Sequence, residues 1–198
     1  MAVSNARLVV EQLLGAEIGR TFHVYPSGHE TRTYTATVPG ALFSDTTHLG
    51  STNKSYSSGP FEHEPMVTHH ADGTRTVWLY ETNSSGRTTV TCSGEAGPAG
   101  ETNVIRGTRS VSAVGLYGEP LSSVTFDIAS GILVSSNGWS GFDEFRRATT
   151  VTRLGGLSET VAYDDCCGVS RFTDTDGSTT TNRLEKKKGS VLTIDNDL

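Results

Sequence analysis

The sequence predicts an all-β fold of successive antiparallel hairpins, and three observations carry that expectation. Thr (28) and Gly (22) are abundant among the 198 residues, whereas hydrophobic residues make up 34% and aromatics 8%. The branched Cβ of Thr suits a pleated, half-wet surface, and Gly supplies the positive φ angles of tight turns. Apolar and polar residues alternate in short runs, and Gly-containing turns recur at spacings too short for intervening helices. Residues 1–198 therefore read as a single β-rich region whose hairpins form a curved or spiralling sheet, open rather than closed.

Taken in order, residues 1–19 hold an apolar patch interrupted by Glu11 and Gln12, without the continuous apolar core of a signal peptide. Residues 6–18 fit a short helix or a strand, and the strand is preferred. Over residues 31–38, Tyr34, Ala36 and Val38 share one face, and Thr31, Thr33, Thr35 and Thr37 the other. Residues 40–61 are rich in Ser, Thr and Gly with little periodicity and read as a long loop, as do residues 94–107. Residues 74–80 follow an Asp72-Gly73 turn and set Val77 and Leu79 against Trp78 and Tyr80, and apolar groups on both faces suggest a more buried strand. Gly155-Gly156 predicts a two-residue primed turn pairing Leu154 with Leu157 and Arg153 with Ser158, with Arg153 diagonally near Glu159.

A loose motif recurs: an aromatic residue and an acid, a Gly or Arg turn, a Thr-rich strand, then Asp-Gly. It begins at Tyr80 (with Gly86 and Arg87), at Phe126-Asp127, at Phe142-Asp143 and at Tyr163-Asp164 (with Gly168, Asp174, Asp176 and Gly177). The last two intervals have the length of one strand-turn-strand unit. The leading aromatic is expected to pack between hairpins, the acid to hydrogen-bond turn amides, and Asp-Gly to reverse the chain.

This pattern resembles the YD-repeat (Rhs) family, most strongly over residues 142–184, with degenerate copies across 71–198 and a poor match over 1–70. The resemblance implies a non-catalytic scaffold segment of a secreted or cell-surface assembly, whose partners are neighbouring repeats of a larger parent array. Phe142-Asp143-Glu144-Phe145-Arg146 departs from the pattern by lacking the turn Gly. Shell-forming relatives carry an Asp-Pro-x-Gly-Leu motif before a variable toxin. No Asp-Pro dipeptide occurs here, so neither self-cleavage nor toxin activity is carried over.

The formal net charge of −6 gives no electrostatic reason to bind nucleic acid or anionic lipid, and the lone basic run, Lys186-Lys187-Lys188, reads as a solvated strand end. No run approaches the length of a membrane-spanning helix, and no membrane insertion is expected. Trp78, Tyr80 and Trp139 are candidates for stacking on cell-surface glycans, the alternative to pure scaffolding. Glu62, His63, Glu64, His69 and His70 form the densest set of metal-ligand types, but Pro65 and the spacing argue for solvated loop histidines. Cys92, Cys166 and Cys167 lack metal-site spacing. Asp174-Thr175-Asp176-Gly177 resembles the opening of a calcium loop without its distal ligands and reads as a β-turn. Gly138-Trp139-Ser140-Gly141 lacks the second spacer of a nucleophile elbow. No cofactor, metal site or catalytic group is expected.

Overall fold

The computed structural model describes residues 6–36, 38–43, 50–164, 168–185 and 190–197, with side chains up to residue 182. Cys166, Cys167 and Lys186 to Lys188 lie outside them. Fifteen strands are present among the described residues: β1 (Ala6–Leu13), β2 (Ala16–Ser27), β3 (Glu30–Ala36), β4 (Gly50–Ser55), β5 (Pro65–His69), β6 (Thr74–Asn83), β7 (Gly86–Ala96), β8 (Val104–Gly115), β9 (Pro120–Asp127), β10 (Leu133–Phe142), β11 (Ala148–Arg153), β12 (Ser158–Asp164), β13 (Gly168–Thr173), β14 (Thr179–Glu185) and β15 (Ser190–Asp197). They form one open sheet in strict sequence order, from β1 to β15. No described helix is long and apolar enough to cross a membrane. The all-β hairpin architecture expected from Thr, Gly and alternation is thus observed.

The chain divides into two compact units. One comprises Met1–Tyr80, Val90–Arg109 and Asp127–Gly131; the other comprises Glu81–Thr89, Ser110–Phe126 and Ile132–Leu198. The first holds the buried apolar residues. Val67 and Val77, 0% and 1% exposed, face each other across β5 and β6, and Val24, Ala36 and Ala41 are also buried. Phe43 meets Phe22 and Tyr34 edge-on at 5.8 and 5.1 Å. Tyr34 and Ala36 keep the common face expected of them, but β3 ends at Ala36 and Val38 is exposed.

In the second unit, no described hydrophobic side chain is buried to this degree. Arg147 lies over the Tyr163 ring at 4.3 Å and the Phe145 ring at 5.0 Å, and its Nε donates to Asp143 Oδ2 at 2.7 Å. Tyr163 Oη in turn donates to the Ala148 carbonyl at 3.0 Å.

Two expected loops are strands in part. β4 runs through residues 40–61 as Gly-Ser-Thr-Asn-Lys-Ser, paired antiparallel with β3 and β5. Its polar residues show no alternation, so backbone pairing between two neighbours defines it. Residues 94–107 contribute the end of β7 and the start of β8. Gly94 and Gly107 are not loop residues: a Cβ on either would collide with backbone of the other strand, at Arg106 O and Ser93 O respectively. A strand glycine of this kind marks close backbone approach rather than a turn.

Five turns repeat one hydrogen-bond pattern. In His70–Thr74, Gly115–Glu119, Asp143–Arg147, Arg153–Leu157 and Asp174–Ser178, the first N–H donates to the fifth carbonyl and the fourth N–H donates back to the first carbonyl. The fourth residue is left-handed, with φ of 82–88° at Gly73, Gly118, Gly156 and Gly177 and 61° at Arg146. This is the three-residue hairpin loop closed by a left-handed residue. It corrects the Gly155-Gly156 reading: Arg153 faces Leu157, Thr152 pairs with Ser158, and Leu154 belongs to the loop. Both glycines have positive φ, but the loop opens one residue earlier than a two-residue turn would require, at Leu154. Arg153 still makes a two-pronged contact with Glu159, at 2.8 and 2.7 Å. A two-residue loop with both φ positive does occur, at Leu14-Gly15 between paired Leu13 and Ala16, with φ of 51° and 81°.

Candidate functional site

Alternation along β6 puts Trp78 and Tyr80 on the face opposite Val77. Trp78 helps line a groove of about 350 Å³ whose wall includes His29, Asn53, Lys54, His63 and Thr68. Its carbonyl accepts a hydrogen bond from Tyr56 Oη at 2.9 Å. Tyr80 packs with Tyr56 at 5.9 Å and Phe61 at 5.3 Å, a small aromatic cluster beside the groove. Trp139 lies on β10 in the other unit, paired with Val151. Gly138-Trp139-Ser140-Gly141 sits within that continuous strand.

The histidines group differently from their order in sequence. His63 precedes strand β5, His69 is its last residue and His70 follows it. His69 pairs with Thr52 and Arg75, and burial, followed by the charge of Arg75, pushes its pKa down and favours the neutral ring. His70 Nε2 lies 3.0 Å from Thr76 Oγ1. His63, in the β4–β5 loop, instead meets His29, in the two-residue turn between β2 and β3. Their rings stack at 4.9 Å with an interplanar angle of 15°. Glu62 Oε1 is 3.8 Å from His63 Nε2. One ligand atom from each of His29, Glu62 and His63 lies within 4.8 Å of the others, the one such cluster of His, Cys, Asp and Glu among the described residues. Residue spacing could not reveal it, because His29 and His63 converge only through the β3–β4 pairing.

The repeat-motif residues fall at strand ends and in turns, except Tyr80, which lies within β6. Phe126-Asp127 ends β9, Phe142 ends β10 just before Asp143, and Tyr163-Asp164 ends β12. The acids bond turn amides at two of these places. Asp127 Oδ1 accepts from the Ser130 N–H and hydroxyl at 2.8 and 2.6 Å, and Asp143 Oδ1 accepts from Phe145 N and Arg147 N at 3.0 and 2.8 Å. In the Tyr80 copy Asn83 takes this role, accepting from Ser85 N and Gly86 N. Gly86 and Arg87 begin β7, and Gly168 pairs with Asp164 at the start of β13. Asp174, Asp176 and Gly177 form the β13–β14 turn, where Asp176 Oδ1 accepts from Ser178 N at 2.8 Å.

Where the motif lacks its Gly, Arg146 adopts the left-handed conformation in Gly's place. Its guanidinium lies 4.4 Å over the Tyr117 ring and 3.6 Å from Glu119 Oε1. Cys92 is half-buried, and burial pushes its thiol pKa up, which disfavours the nucleophilic thiolate. Neither a protein-family model nor a curated protein matches the chain.

Proposed function

We propose that the chain is a non-catalytic scaffold, a run of hairpin units of YD-repeat type that works by extending a β-sheet with neighbouring units of a larger array. The observation that carries this reading is the five-fold recurrence of one turn geometry in a sheet whose strands pair in sequence order. The strand-end acids at Asp127 and Asp143, each bonding turn amides, give the aromatic-acid pair a structural purpose. Open sheet edges suit addition of further strands. Far-UV circular dichroism with size-exclusion light scattering tests it. Expected is a β-rich chain that self-associates, and a strictly monomeric, cooperatively folded chain at high concentration would count against the scaffold.

The second reading is glycan binding, favoured by Trp78 lining a groove with Asn53, Thr31 and Thr68. Sugars stack on aromatic faces and hydrogen-bond such polar neighbours. A glycan array scores it, and hits abolished by Trp78→Ala would place this reading above the scaffold.

A further inference from the structure

We infer that His29, Glu62 and His63 form a site for a divalent first-row transition ion of the zinc type, which ties the β2–β3 turn to the β4–β5 loop. Two borderline imidazole donors beside one hard carboxylate suit zinc, copper or nickel better than calcium or magnesium, which prefer all-oxygen sets. The two histidines separate this cluster from an ordinary exposed acidic group. A tetrahedral ion with bonds of about 2.1 Å holds its donors roughly 3.4 Å apart. The donor atoms here lie within 4.8 Å of one another, and the stacked rings of His29 and His63 must tilt out of their near-parallel arrangement for their lone pairs to converge on one ion. Glu62 and His63, 48% and 73% exposed at the side chain, have room to move.

The surroundings fit a ligand role. His29 Nδ1 lies 3.4 Å from Ser55 Oγ, a contact of the kind that orients a metal-bound imidazole and keeps its other nitrogen for the ion. Ser55 is itself fixed, its N–H donating to the His29 carbonyl at 2.9 Å. His63 is held by its N–H to the Tyr56 carbonyl at 3.0 Å, with φ of 71°. Lys54, which also lines the groove, is engaged by Glu101 at 2.5 Å, so its charge is offset rather than aimed at the ion. With three protein donors the remaining position falls to water, on the groove side.

Zinc chloride titrated into the full chain, followed by calorimetry and repeated with cobalt for its visible absorption, tests the site. Expected is one ion per chain, with affinity lowered at least tenfold by His29→Ala, His63→Asn or Glu62→Gln and unchanged by His69→Ala combined with His70→Ala. His63→Asn keeps a residue that tolerates positive φ, and circular dichroism of each variant confirms the fold. Absence of binding, binding retained in the His29→Ala, His63→Asn double variant, or binding that follows His69 and His70 would each overturn the assignment.

Discussion

Leu14, His63 and Arg146 have left-handed backbone without being glycine, a conformation that costs on the order of 1 kcal/mol or more in a bulky residue. Arg146 is held by contacts with Tyr117 and Glu119, and His63 by its backbone bond and its stacked neighbour. Leu14 is fully exposed in a two-residue turn, where Asn is the preferred first residue. Leu14→Asn should therefore stabilise the protein by about 1 kcal/mol, read as a higher urea midpoint with unchanged slope; an unchanged or lower midpoint would refute the strain. None of the three was legible in the sequence, because residue patterns assign positive φ to Gly, Asn or Asp. The same rule points to Gly155-Gly156 and passes over Leu14-Gly15.

The turns as elements respond to acid. At Asp72 the Thr74 hydroxyl and then its N–H hold the carboxyl below the ordinary range; at Asp127 the Ser130 hydroxyl and N–H do so, and at Asp176 the Ser178 N–H and hydroxyl. At Asp143 burial pushes upward, but the Arg147 N–H and guanidinium outweigh it. Groups lowered in the folded state leave the unfolded chain binding more protons in acid. Their stabilisation is complete above the ordinary aspartate value of about 3.9 and is lost as pH falls through the lowered folded values. Urea midpoints should thus fall steeply below about pH 4, and Asp72→Asn with Asp176→Asn should flatten that fall; an unaltered slope would place the titration elsewhere. The Asp-Gly turns were readable because both residues act locally. Strand β4 and the Gly94–Gly107 approach were not, since each exists only through its neighbouring strands.

For the molecule as a whole, the open sheet leaves β1 paired on one side only among the described residues, and Leu8 and Val10 on it are exposed. Charged side chains on an edge strand disfavour strand addition. Leu8→Lys with Val10→Lys should shift the chain towards monomer in light scattering while circular dichroism stays β-rich, and unchanged association would put the self-contact on another surface. The edge could be foreseen from a hairpin array. The division into two units could not, because it depends on which residues end up close in space. The strict strand order has one more consequence. Every strand pairs with its sequence neighbour across a connection of at most thirteen residues, so closing each hairpin costs little entropy. Such a chain can fold vectorially as it is synthesised, each hairpin templating the next, and a whole hairpin could be duplicated or lost in evolution without re-registering the others.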